Sequence, residues 1–306
     1  MFLKLEHLSI GYDKPLIKEI HDELSLGQVV LLIGSNGVGK TTLMRTLLGQ
    51  IPPLEGQLYL NSQPLSSLNA KKIASQIAVV LSKSKVSSSL RLYDLVALGK
   101  YIHYPYYIRL SKEDHKEVEQ WIESLSLQQY RNHRISELSD GNLQKAFIAR
   151  ALCQNAPFIL LDEPTAHLDE ENKIMILKLL RRLALHFNKL ILFSSHDFRL
   201  AKEFSDRIWL LKEKEFYSGL TEDMLLEHQE LVRPVLFHLE NSFLAPKISA
   251  PSLEKELLYS FLQKNFDRDF SSFHFQYVNR KWYLEHKGKQ HEFSNFGELK
   301  AFLGSF

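Results

Sequence analysis

The sequence predicts an α/β fold. A mainly parallel core sheet with helices on both faces is joined to an antiparallel β subdomain, a helical insertion and a small C-terminal α+β module. Two observations carry this. Apolar runs at 29–33, 158–161 and 190–193 have the length of buried strands, and each ends in a polar cluster. Between the second and third, residues 172–187 place Ile174, Leu177, Leu180, Ala184 and Phe187 at helical spacing. Strands alternating with helices build parallel sheets, and ligands in such sheets bind beyond the carboxyl ends of the strands, where all three clusters fall.

Taken in order, residues 3–10 and 57–60 alternate apolar with polar and read as antiparallel strands, with Asn61 turning the chain. The run 29–33 enters a glycine-rich turn, and 40–48 follows as a helix. Residues 85–155 have helical patterns, at 113–125 and 142–152, and few strand signals, so they read as a helical insertion. After Gly219 the composition shifts. Residues 221–251 read as a helix and then a connector containing Pro234, Pro246 and Pro251. A helix over 253–266 follows. Phe273, Phe275 and Tyr277, then Trp282 and Leu284 across an Asn279-Arg280 turn, form a hairpin, closed by a helix over 296–303. The aromatic alternation of this module reads as core packing.

The 306 residues are 44% hydrophobic and 24% charged, enough to bury a substantial core. A formal charge of +2 gives no reason to expect a polyanionic partner such as nucleic acid. Cys153 is the only cysteine, which rules out an internal disulfide, fits a reducing compartment and reads as a packed hydrophobe on a helix. The first six residues carry charges within their apolar stretch and no cleavage pattern, so they do not read as a signal peptide. No apolar run approaches the ~20 residues that span a bilayer.

The polar clusters carry the chemistry. Gly34-Ser35-Asn36-Gly37-Val38-Gly39-Lys40-Thr41 fits a phosphate-binding loop between a strand and a helix. Glycines let backbone N–H groups wrap a triphosphate, and the helix N-terminus favours the anion. Lys40 supplies a point charge and the Thr41 hydroxyl a ligand for Mg2+. Asp162 and Glu163 follow the second strand. One can hold Mg2+ through water while its neighbour orients or deprotonates an attacking water. Alone, Ser139 and Asp140 would read as a helix cap, and His196 as a strand-end polar residue.

Their order changes that reading. The phosphate loop, then Leu138-Ser139-Asp140-Gly141-Asn142-Leu143-Gln144, then Leu160-Leu161-Asp162-Glu163-Pro164-Thr165, then Leu168-Asp169, then Ser195-His196-Asp197 resembles the ATP-binding cassette family over residues 1–220. Gly11-Tyr12, the stretch 95–100 and Gln144-Lys145 are similar to the subgroup of importer ATPases serving iron-siderophore, haem and cobalamin permeases. The resemblance implies a P-loop NTPase cassette over 1–225; outside it, composition and patterning give a linker over 226–251 and an accessory module of unknown role over 252–306. It implies ATP hydrolysis, ATP and Mg2+ as cofactors, a homodimer, integral-membrane permease subunits and an external substrate-binding protein. It also implies a cytoplasmic place on the inner face of the membrane.

Residue by residue, the resemblance implies that Tyr12 stacks on adenine and that Gly34, Ser35, Asn36, Gly37, Val38, Gly39, Lys40, Thr41 and Thr42 cradle the nucleotide. Asp162 with Thr41 holds Mg2+, Glu163 is the catalytic base, and His196 contacts the γ-phosphate. Ser139 and Gly141 close on ATP bound by the partner subunit, and Asp169 communicates across the dimer. Two positions depart from the family. Ser82 stands where a glutamine is usual, and Asp140 where glycine is usual, its charge expected to face the helix N-terminus or solvent. The aromatic stretch 101–107 falls where the permease docks, and reads equally as a docking surface or as a loop packed on its own domain. Rival readings are an exporter ATPase, a soluble cassette protein of repair or translation, and a non-catalytic ATP-binding regulator. A single phosphate loop, the lack of a long heptad run and the retained Glu163 weigh against the last two.

Overall fold

The computed structural model describes residues 1–81, 87–104, 109–166, 168–195, 202–228, 231, 244–266, 268–286 and 288–305. The chain divides into two compact units, Met1–His228 and Gln229–Phe306.

The first unit is built on a six-stranded sheet. β3 (Val29–Gly34), β6 (Ile77–Val80), β7 (Phe158–Leu161), β8 (Leu190–Ser194), β9 (Arg207–Lys212) and β10 (Glu215–Leu220) lie in the order β10-β9-β3-β8-β7-β6. All pairs are parallel except the β9–β10 hairpin. β7 and β8 are buried along their whole length, and β3 up to Ile33, as strands covered on both faces must be. That explains their unbroken apolar runs. It also sets the carboxyl ends of β3, β8 and β7 side by side, so the three polar clusters converge.

A second sheet, β2-β1-β4-β5, is the antiparallel subdomain: β1 (Leu3–Gly11), β2 (Pro15–Leu24), β4 (Glu55–Leu60) and β5 (Gln63–Pro64). Asn61 and Ser62 turn the β4–β5 hairpin with positive φ at both, the type I′ pattern. The strand β2 has no clean alternation to read. Glu19 takes φ +53° and the β1–β2 register shifts there, so the period-2 pattern breaks midway.

Helix α2 (Ala70–Gln76) precedes β6, and the insertion after β6 is helical, as expected: α3 (Leu92–Ala97), α4 (Lys112–Ser124) and α5 (Asp140–Cys153). Ser111 and Asp114 form a reciprocal capping box at the start of α4. Asp114 also accepts from the Tyr104 hydroxyl, and Lys100 bridges to both Asp114 and Glu117. Of the aromatic stretch, Tyr101 is exposed and Tyr104 is tied to α4, while 105–107 lie outside the described residues. Gly99 sits against α5, where an added Cβ would fall 2.1 Å from the Arg150 carbonyl oxygen. Cys153 is the packed hydrophobe expected, its thiol pushed up to about 12 by burial. After α6 (Glu170–Phe187), the unit ends in α7 (Thr221–Glu227).

The second unit has its own four-stranded sheet, β11 (Lys247–Ser249), β12 (His274–Val278), β13 (Lys281–His286) and β14 (Lys289–Phe293), in that order. Helices α8 (Ser252–Asn265) and α9 (Phe296–Gly304) pack on it around Leu258, Phe275, Trp282, Leu284 and Leu299. Asn279 and Arg280 make the two-residue turn the sequence predicts, both at positive φ. One expectation needs correction. Residues 247–249 fall within the stretch read as a connector, yet they form β11, paired parallel with β12. Three residues are too few for alternation to show.

Gly99→Ala is expected to destabilise the first unit by about 1–3 kcal/mol through overpacking against α5. A lowered urea midpoint at unchanged slope checks this. Burial alone would raise the Asp114 carboxyl, but hydrogen bonds from Tyr104 and Ser111 and the charge of Lys100 outweigh it, leaving it at about 2. Because the folded value lies below the ordinary 3.8, its stabilisation is complete above that pH and is lost as pH falls towards 2. Asp114→Asn is therefore expected to lower stability near neutrality and to flatten the acid limb between about pH 4 and 2, read by thermal melts across that range.

Candidate functional site

The turn from β3 into α1 (Lys40–Leu47) is a cradle of backbone donors. Gly37 takes φ +79° and Gly39 φ +123°, conformations that a side chain disfavours. Gly39 is the N-cap of α1 and offers no side-chain acceptor, so the first N–H groups of the helix stay open to an anion. Ser35, Asn36, Gly37 and Thr41 are exposed, Gly34 and Val38 half-buried and Thr42 buried. Lys40 is buried at 9% exposure and donates to the carbonyls of Gly34 (2.6 Å) and Ser35 (3.1 Å). Its burial pushes the ammonium below the ordinary lysine range, and the charges of Glu163 and Asp162 partly offset this. Those contributions place the three charged groups in one electrostatic neighbourhood.

Asp162 and Glu163 stand at the end of β7. The Asp162 N–H donates to the Val80 carbonyl at 2.8 Å, fixing the strand end against β6. A residue the sequence reading missed links the pair to β8. The Ser194 hydroxyl donates to Asp162 Oδ1 at 2.8 Å and accepts from the Glu163 N–H at 2.9 Å. Ser194 has no exposed surface. Glu163 has φ +53°, a left-handed conformation that costs a non-glycine residue about 1–3 kcal/mol. Nothing in a strand-end serine announces this. Only the pairing of β8 beside β7 brings its hydroxyl to the Asp162 carboxylate and the Glu163 N–H.

The oxygen donors of Thr41 and Asp162 suit Mg2+, which takes few protein ligands and keeps waters and phosphate oxygens. Among the described residues, no three of His, Cys, Asp and Glu gather as a metal cage. The donor set therefore fits an ion that arrives with a nucleotide. Tyr12, just past β1, is 57% exposed, so it is not a buried strand-end aromatic. His196 and Ser82 lie outside the described residues.

Ser139, Gly141 and Asp169 gather elsewhere, around a cleft of about 420 Å3. Ser139 caps α5, its hydroxyl accepting from the Asn142 N–H at 3.3 Å. Asp140 is exposed in the first turn of α5, where its charge favours the helix dipole. Asp169 caps α6, accepting from the backbone and side-chain nitrogens of Asn172, both at 2.8 Å. Those bonds, with a smaller contribution from Lys145, hold its carboxyl below the usual range. Lys145 is 7% exposed on the wall of the same cleft, its ammonium lowered by burial and raised in part by Asp169.

The sequence pattern of ABC transporters matches residues 17–166. An uncharacterised ABC transporter ATP-binding protein of Methanocaldococcus jannaschii is 34% identical over 242 residues, 78% of this chain and 82% of that one. The chain belongs to the ABC transporter ATP-binding family. The petrobactin import ATP-binding protein FpuD of Bacillus anthracis is 32% identical over 78% of this chain and 87% of its own. A dimeric ATP-binding cassette in a post-hydrolysis state with ADP and Pi superposes with a TM-score of 0.65 at 26% identity. It covers 72% of this chain and 98% of that one. The chain is thus the ATPase subunit of an ABC transporter, and nucleotide is its ligand. No helix among the described residues is long and apolar enough to cross a membrane.

Lys40→Ala, which removes the buried charge from the cradle, is expected to weaken ATP binding by on the order of a hundredfold without unfolding the cassette. Titration with a fluorescent ATP analogue, alongside a thermal melt, checks this.

Proposed function

We propose that this ABC ATPase powers import, working as one half of an ATP-sandwiching homodimer beneath a separate membrane permease. In this reading the permease receives an iron-siderophore, haem or cobalamin type of substrate from an external binding protein. The observation that carries the dimer is the division of the site within one chain. Lys40, Asp162 and Glu163 form one cluster, while Ser139 and Gly141 flank another cleft with Asp169. Two copies placed head to tail set one subunit's phosphate loop against the other's signature loop. The name of the petrobactin import relative supports the direction and substrate class.

The division of labour follows from chemistry. Backbone N–H groups from Gly34 to Thr42 and the Lys40 ammonium neutralise the triphosphate, and Tyr12 offers an exposed ring to adenine. Thr41 and Asp162 hold Mg2+, Asp162 through water. Glu163 takes the proton of the attacking water, and His196 steadies the γ-phosphate. The chain sits on the inner face of the membrane, where its permease docks. Closing on ATP and opening after hydrolysis is the switch that drives transport.

Glu163→Gln tests this reading. Hydrolysis is expected to fall by on the order of a hundredfold or more, since the base is lost. The same variant is expected to elute as a dimer with ATP and as a monomer without it. In cells carrying the transporter, uptake of radiolabelled ferric siderophore is expected to cease. A variant that hydrolyses ATP at the wild-type rate would remove Glu163 from its role. Cells that keep full uptake would remove the import reading.

A further inference from the structure

We infer that Ser194 is a positioning residue for ATP hydrolysis: its hydroxyl clamps Asp162 and Glu163 in the geometry the reaction uses. The inference rests on the roles proposed for those two carboxylates and adds a third participant to them.

Four observations converge on it. A hydroxyl has one hydrogen, and here it is committed to Asp162 Oδ1 at 2.8 Å. The lone pairs thereby turn to the Glu163 N–H, which donates at 2.9 Å. Both bonds are satisfied at once only with the hydroxyl in this orientation. Ser194 is fully buried, so water does not replace either bond on the wild-type protein. Glu163 holds a left-handed backbone, which persists only where its surroundings hold it in place. The Ser194 bond falls on the very N–H of that strained residue.

Position gives the clamp a second property. Ser194 is the last residue of β8, paired across to Leu32 of β3, the strand that feeds the phosphate loop. Ser195 and His196 follow directly in the chain. One hydroxyl thus ties the end of β8, two residues before His196, to the Asp162 carboxylate and the Glu163 backbone at the end of β7. With no exposed surface of its own, Ser194 acts only through those two residues, so its loss is expected to slow the chemical step and spare nucleotide binding.

The test compares Ser194→Ala, Ser194→Cys and Glu163→Gln with wild type in the full-length chain. Steady-state kinetics and binding of a fluorescent ATP analogue are measured, with thermal melts beside them. Ser194→Ala is expected to lower kcat by roughly ten- to a hundredfold while KM and analogue affinity stay within about twofold. Ser194→Cys fills nearly the same volume with a weak donor, and a smaller loss of kcat is expected. Should the alanine variant fail to fold, the cysteine variant decides. A kcat within twofold of wild type in the folded variant overturns the clamp. So does a fall in kcat matched by an equal loss of affinity, which marks general damage to the site. The glutamine variant separates the two readings. If it hydrolyses ATP normally, the role of Glu163 fails. If it is inactive while the Ser194 variants are fully active, only the clamp fails.

Discussion

Three charged side chains, Lys40, Asp162 and Glu163, share one neighbourhood at the carboxyl end of a buried sheet, and the surrounding structure exists to hold them there. Burial works against the Lys40 ammonium, whose charged form loses water. Every group has been given a partner of its own chain. Lys40 turns to the carbonyls of its own loop, and Asp162 is held through its backbone by β6 and through its side chain by β8. A polyphosphate with a cation would complete that balance, its negative charge taking up Lys40 and its metal taking up Asp162. The site is arranged to be stable without the ligand and better balanced with it, as expected of a protein that cycles between the two states.

The parallel sheet makes this arrangement available. Its strand order sets β3 beside β8 and β8 beside β7, so chain segments more than a hundred residues apart deliver their last residues to one edge. The helical insertion interrupts the sequence between β6 and β7 but is anchored to the sheet from beneath. Arg150 donates to the Val79 carbonyl at 3.2 Å, and the Gln154 amide to the carbonyl of Ile77 at 3.0 Å. Both bonds reach β6, the strand that leads to position 82. The same helix, α5, begins at the signature loop and carries Lys145 towards Asp169. One helix thus runs from the loop at Ser139–Gly141 to β6 at the edge of the sheet.

Much of this was legible in the sequence, because the features concerned are local. The phosphate loop is a run of eight residues whose glycines declare their backbone, and the buried strands announce themselves as unbroken apolar runs. The charge of Asp140 was expected to face a helix N-terminus or solvent, and both hold. The rest depends on contacts far apart in sequence or on backbone that breaks a pattern. Ser194 is an ordinary serine until β8 is laid beside β7. The left-handed Glu19 erases the alternation that would have revealed β2, and β11 is too short to have one. The hairpin of β9 and β10 carries a readable apolar run at 208–211, but the charged Lys212–Glu215 that follow match none of the nucleotide-site motifs.

The second unit shows the opposite balance, since its aromatic pattern was legible from end to end. A unit of this size buries a smaller fraction of its surface than a large domain does, so each core residue must contribute heavily. The sequence meets that requirement with rings. Phe270 packs edge-on against Phe273 at 5.1 Å between centroids, Tyr277 lies 4.9 Å from Trp282, and Phe293 lies 5.2 Å from Phe302. Rings at such offsets add attraction beyond the area they bury. Phe275 and Leu284 pair directly across β12 and β13 with no exposed surface, so the alternation marks the inner face of the sheet. The aromatic alternation read as core packing in the sequence is what allows a module this small to hold a core of its own.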